Sequence, residues 1–148
     1  FESRLYEEVR EKRGLAYSAY SYLAPLDHAG IIIGGAGTAN ARTGETVTVL
    51  RDEWAKMHKK GLNSRELKDA KTYLTGSYPL RFSSSGRIAG MMTAIQMEKL
   101  GLGYIKKRNS LIEAVTLKDV NRVAAEMLDP EKLTMVVVGK PKGVTSTP

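Results

Sequence analysis

Arg10 and Tyr17 stand seven residues apart in the run Ser3-Arg4-Leu5-Tyr6-Glu7-Glu8-Val9-Arg10-Glu11-Lys12-Arg13-Gly14-Leu15-Ala16-Tyr17-Ser18. A guanidinium is a permanent cation with a rigid fork of donors, and a phenol is a neutral O–H donor. Brought to one place, the two can stabilise negative charge developing on a carbonyl oxygen, which acyl transfer requires. The run reads as a helix over about 2–13, a glycine stop at Gly14, and a strand from Ala16. Arg10 then hangs from the last helical turn and Tyr17 from the start of the strand. The residues alone leave a plainer reading open. An arginine near a helix C-terminus suits the macrodipole, and tyrosine favours strands.

Other candidate chemistry is weaker. Gly34-Gly35-Ala36-Gly37-Thr38-Ala39-Asn40 invites a phosphate-loop reading, but Asn40 stands where GxGxxG needs glycine, and no Gly-Lys-Ser/Thr follows. Glycines that let two strands approach closely explain it better. His28 sits in a turn and His58 on a lysine-rich helix, neither with a partner at metal-ligand spacing, and HExxH and HxxEH are both absent. Ser83-Ser84-Ser85-Gly86 lacks the G-x-S-x-G frame and suits helix capping. Met91 and Met92 suit core packing. Glu7 and Glu11, four apart, could be an acid/base pair but read more simply as a surface pair.

These side chains must be positioned by the elements around them. Leu5 and Val9 extend a stripe begun at Phe1, and Glu8 precedes Lys12 at i,i+4. Ala16–Leu23 alternates as a strand, with Tyr17, Ala19, Ser21 and Leu23 on one face and Ala16, Ser18, Tyr20 and Tyr22 on the other. Pro25, Asp27, His28 and Gly30 supply turn chemistry, and Ile31–Ala36 is apolar enough for a buried second strand, completing a hairpin. Helices follow at about 45–60, from Asn63 with Glu66 as a capping arrangement, from Ser83–Ser85, at 104–114, and from Thr116 with Asp119 as a second cap. Pro79 and Pro130 interrupt. Leu133–Val138 reads as a central strand. Strands and helices are segregated, which predicts an α+β fold: an antiparallel sheet packed against a block of helices. Residues 1–139 form the predicted domain and 140–148 a flexible tail.

With 148 residues, 42% of them hydrophobic, the chain can build a real core. It begins Phe1-Glu2 without an initiator methionine, which suggests a piece of a longer polypeptide. The absence of cysteine excludes disulfides and thiolate chemistry. The net charge of +7 raises a nucleic-acid reading. The basic residues are scattered among acids without interleaved aromatics, so solvated helix faces are favoured and no nucleic-acid partner is expected. No stretch is apolar enough to span a membrane. Cysteine usage leaves the compartment open, because cytosolic and periplasmic proteins can both lack cysteine.

The Ser3–Ser18 block resembles the second domain of the pitrilysin/insulin-degrading family of zinc metallopeptidases, especially shorter bacterial members similar to mitochondrial processing peptidase. There an Arg and a Tyr, with six residues between them, contact substrate at the scissile bond; Arg10 and Tyr17 match in type and spacing. Gly61-Leu62-Asn63-Ser64-Arg65-Glu66-Leu67 with Ala70-Lys71 resembles a family helix start, and Thr116-Leu117-Lys118-Asp119-Val120 and Leu133–Gly139 its closing elements. The resemblance implies an N-terminally truncated half-domain of the LuxS/processing-peptidase-like kind, one half of a clamshell. It implies zinc bound by another domain or subunit through HxxEH and a distal Glu, not by this segment. It implies a peptide substrate and a dimer with the zinc-bearing half. Tyr17 would donate to the carbonyl oxygen and Arg10 would orient the substrate, while water activated by zinc attacks with a Glu as base. The Arg–Tyr block and Leu80-Arg81-Phe82 resemble the non-zinc subunits, which favours a partner as the source of HxxEH. On this reading the segment alone is inactive. A non-catalytic scaffold homologue of the same superfamily is the alternative.

Overall fold

The hydroxyl of Ser3 accepts a hydrogen bond from the Tyr6 N–H at 3.2 Å and so caps the first helical turn, α1 (Arg4–Tyr6). The computed structural model describes residues 3–146; Phe1 and Glu2, expected to begin this helix, lie outside that range. The helix does not continue as α. Glu7–Glu11 form a π-helical turn, in which Lys12 N–H reaches the Glu7 carbonyl at 2.9 Å. Gly14 ends it with φ +55°, in the left-handed region that favours glycine.

The chain then forms a hairpin of β1 (Ala16–Leu26) and β2 (Ala29–Thr38), both longer than the sequence predicts. Asp27 and His28 make the two-residue turn beyond the last pair of the ladder, Leu26–Ala29. The glycines of β2 admit close neighbours. A Cβ on Gly34 would stand 3.2 Å from the Tyr20 carbonyl oxygen, and one on Gly35 would stand 2.8 Å from the Tyr20 hydroxyl. A 3₁₀ turn (Asn40–Arg42) leads into α2 (Thr43–Lys60), which Gly61 stops with φ +63°.

Contacts divide the chain into two compact units, one made of 3–61 with 123–146 and the other of 62–122. The first has its core where Leu5, Val9, Leu15, Ala16 and Ala19 meet Ala36, Val49 and Leu50. Val9 is fully buried. The apolar stripe expected to bury α2, Val47, Leu50, Trp54 and Met57, is only half-buried, whereas Thr43, Thr46 and Glu53 are buried. Three of those four residues line a cavity of about 670 Å³ bounded by β2 and by Leu133–Val138.

That last segment corrects the sequence reading. Leu133–Val138 is extended but pairs with no strand; among the described residues the sheet has two strands, β1 and β2. Val136 and Val138 are 84% and 92% exposed. β-propensity marks a chain that suits a sheet, but a strand exists only with a hydrogen-bonding neighbour, and here the cavity separates the segment from β2. Ile31–Ala36 is likewise more exposed than predicted, because one edge and much of the surface of β2 face that cavity. Further on, Lys142 N–H donates to the Asn40 carbonyl at 2.9 Å and Gly44 N–H donates to the Lys142 carbonyl at 3.0 Å.

The second unit holds α3 (Ser64–Gly76), α4 (Ser85–Met97), α5 (Tyr104–Ala114) and the start of α6 (Leu117–Met127). Asn63 and Glu66 form a reciprocal capping box on α3, Ser84 caps α4, and Thr116 with Asp119 caps α6. Pro79 sits in a 3₁₀ turn (Tyr78–Phe82) after α3 ends. Arg108 is buried over the Tyr78 ring at 4.3 Å and donates to the Leu74 carbonyl at 3.0 Å. The arrangement in the first unit and the helices of the second make the chain α+β, as its segregated pattern predicts.

Candidate functional site

Two backbone irregularities place the Arg–Tyr pair. Arg10 projects from the π turn, and just beyond it the left-handed Gly14 closes the helix end, its N–H reaching the Arg10 carbonyl and the Leu15 N–H reaching the Val9 carbonyl, each at 2.8 Å. Tyr17 lies in a β-bulge. Ala16 pairs with Thr38 and Ala19 with Ala36, so Tyr17 and Ser18 together oppose Gly37 alone. The strict alternation read from the sequence fails here: Ala16 and Ala19 are both buried, which two residues three apart in a regular strand would not be. The bulge leaves Tyr17 83% exposed while its flanks stay in the core.

The structure brings Arg10 and Tyr17 together. The guanidinium carbon of Arg10 lies 4.8 Å from the centre of the Tyr17 ring and 4.9 Å from that of Tyr6. The cation sits over the ring face of Tyr17 rather than beside its hydroxyl, and a second ring steadies it from its own helix face. Each such contact contributes about 0.5–1 kcal/mol at an exposed position. Arg10 also lies 3.7 Å from Glu11, through Nε and Oε1, with its side chain 36% exposed. Both functional groups are therefore accessible and mutually held. Tyr6 was not singled out in the sequence, although its i,i+4 spacing to Arg10 contains the signal.

Behind the pair, Glu8 accepts from Lys12 Nζ at 2.6 Å and from Arg13 Nη1. These bonds, Lys12 first, hold the Glu8 carboxyl down to about 2. Lys12 also pairs with Glu7 at 2.9 Å. Glu7 and Glu11, weighed as an acid/base pair, thus each have a separate cation beside them.

Metal-ligating side chains do not gather here. Among the described residues no three His, Asp or Glu side chains converge as a metal site, so those residues by themselves do not fit zinc. His28 is in the hairpin turn, and the Nδ1 atom of His58 is buried without a hydrogen-bond partner. Among the described residues no helix is long and apolar enough to cross a membrane.

A two-stranded antiparallel hairpin packed on helices is the arrangement of a truncated α+β half-domain. Residues 1–74 match the family described as the peptidase M16 inactive domain. The chain belongs to this M16 family, the pitrilysin-like zinc metallopeptidases, as a C-terminal-type domain. It is 30% identical over 128 residues to YmxG of Bacillus subtilis, named as an uncharacterized zinc protease, covering 84% of this chain and 31% of that protein. It is 29% identical over 145 residues to a protein of Helicobacter pylori named as a non-peptidase homolog, also YmxG, covering 96% of this chain and 33% of the relative. The crystal structure of a peptidase M16 inactive domain from Pseudomonas fluorescens superposes with a TM-score of 0.70 at 32% identity, over 88% of this chain and 30% of that one. The chain thus spans about a third of the length of the relatives it matches.

Proposed function

We propose that this chain supplies the substrate-contacting half of a zinc-dependent endopeptidase, and that the zinc motif HxxEH lies elsewhere, in the same polypeptide or on a partner subunit. The observation that carries this reading is the accessible Arg10–Tyr17 contact at 4.8 Å, in a chain of the M16 family. The Tyr17 hydroxyl donates a hydrogen bond to the scissile carbonyl oxygen of a bound peptide as negative charge builds there. Arg10, kept over the ring by Tyr6 and Tyr17, orients the peptide backbone through its remaining donors. Both groups act as preorganised donors. The metal's contribution, a polarised water, comes from the other half.

The test uses the full-length polypeptide assembled with its zinc-bearing half, acting on a fluorogenic peptide library. Tyr17→Phe, which deletes only the hydroxyl, should lower kcat by about 10²–10³-fold with KM little changed. Arg10→Ala should lower kcat/KM by a similar factor, and Arg10→Lys should restore little of it, because an ammonium cannot reproduce a planar fork stacked between two rings. Full turnover by both Tyr17→Phe and Arg10→Ala rejects the assignment. The name of the Helicobacter pylori relative favours one other reading, a non-catalytic scaffold subunit. In that case the wild-type assembly itself turns over no peptide.

A further inference from the structure

Arg13, Gly14 and Leu15 link the π turn that carries Arg10 to the strand that carries Tyr17. Carbonyls at such a helix exit have no intrahelical partner and need one. Here all three accept from side chains of a single place, the junction of β2 and α2. Arg42 donates through Nη1 to the Gly14 carbonyl at 2.7 Å and through Nη2 to the Arg13 carbonyl at 2.9 Å. Thr38 Oγ1 donates to the Leu15 carbonyl at 2.7 Å. Behind Thr38, the buried Thr46 hydroxyl lies 3.0 Å from Thr38 Oγ1 and 3.0 Å from the Arg42 carbonyl, two acceptors within reach of its one proton. Arg13, Gly14 and Leu15, which join the helical turn to the strand, are therefore fixed from outside, by partners more than twenty positions away.

We infer that Arg42, backed by Thr38 and Thr46, is a positioning residue that sets the distance between the Arg10 guanidinium and the Tyr17 ring. The inference rests on the reading of that pair as the substrate contact. Its physical basis is the fork of the guanidinium. Two parallel donors on adjacent carbonyls fix the orientation of the peptide planes on either side of Gly14, the residue with the greatest backbone freedom in the link. With Leu15 buried at one end and Val9 at the other, the Gly14 planes are the hinge that remains to be held. Arg42 is itself steadied by Glu45, whose Oε2 lies 3.7 Å from Nη2.

The experiment places 3-fluorotyrosine at position 17 of the full-length assembled protein and follows its ¹⁹F resonance, with Arg10→Ala defining the signal of a ring that has lost its cation. Arg42→Ala should move the resonance towards that reference, Arg42→Lys should move it part of the way, and kcat should fall about 10–10²-fold with a smaller change in KM. Asn40→Ala is the control. It removes a hydrogen bond at the same junction, from Lys140 N–H at 3.2 Å, and should lower stability without moving the resonance. Should Arg42→Ala fail to fold, Thr38→Val reads the same effect: it frees the Leu15 carbonyl and leaves the Thr46 hydroxyl with the Arg42 carbonyl as its acceptor. A resonance unmoved in the Arg42 and Thr38 variants overturns the inference, whatever turnover does. A resonance that moves in an assembly that cleaves no peptide upholds the positioning role and removes the peptidase reading instead.

Discussion

Glu8 is held by two cations that reach it by different routes, and only one route is visible in the sequence. Lys12 stands one helical turn ahead, the favourable i,i+4 orientation. Arg13 reaches back from the turn at Gly14 across five residues, which α-helical spacing does not predict. The consequence is a pH dependence with a definite sign. The Glu8 carboxyl is depressed to about 2 in the folded chain, whereas an unperturbed glutamate titrates near about 4.3. The unfolded chain therefore binds the proton more readily, and the stability from Glu8 is complete above that ordinary value and is lost as pH falls towards 2. Urea midpoints measured across this window should decline, and Glu8→Gln should flatten the decline while lowering the midpoint at neutral pH. Arg10 and Tyr17 themselves were legible as a pair, because type and spacing suffice to suggest them. That the cation would lie over the ring was not legible, since it depends on a bulge opposite Gly37 that the alternating pattern of Ala16–Leu23 conceals.

At the scale of elements, local chemistry predicted what local chemistry controls. Asn63 and Glu66 satisfy each other's backbone donors at 3.0 and 2.9 Å, as their spacing implies. Asn63→Ala should cost about 1 kcal/mol in a denaturant melt, and Asn63→Ser should recover most of it. The helix from Tyr104 to Ala114 and the glycine stops at Gly14 and Gly61 were readable for the same reason. Features that depend on distant chain were not. Leu133–Val138 has the composition of a central strand, yet its neighbours are the walls of a cavity. The α2 helix has an apolar stripe at good helical spacing, yet Thr43 and Thr46 are more buried than Val47 and Leu50, because the junction with β2 packs on the threonine side. Arg42 carried no signal at all in sequence: its partners lie 28 and 29 residues away.

At the scale of the whole molecule, the basic balance of +7 goes with many exposed apolar side chains in each of the two units. Leu23, Leu26, Leu80, Met97, Leu102, Val136 and Val138 are all at least 60% exposed. Where exposed apolar side chains gather into a patch, they mark a surface made to be covered. Charge and composition were readable from the start, but the distribution of apolar residues between inside and outside is a property of the fold. The M16 relatives are about three times as long as this chain. Their additional length is consistent with a protein whose halves complete each other, the arrangement on which the proposed peptidase depends.

The uncovered margin of β2 has a practical outcome for anyone handling the 148-residue chain by itself. Backbone donors and acceptors along an open strand recruit whatever extended chain they meet, and a neighbouring molecule's own valine-rich stretch is the nearest supply. Sedimentation should report association that grows with concentration, and Val136→Lys with Val138→Lys should suppress it, since lysines repel one another at such a seam. Protein purified at low concentration would then be the monodisperse material, and the double lysine variant the better sample for crystallisation.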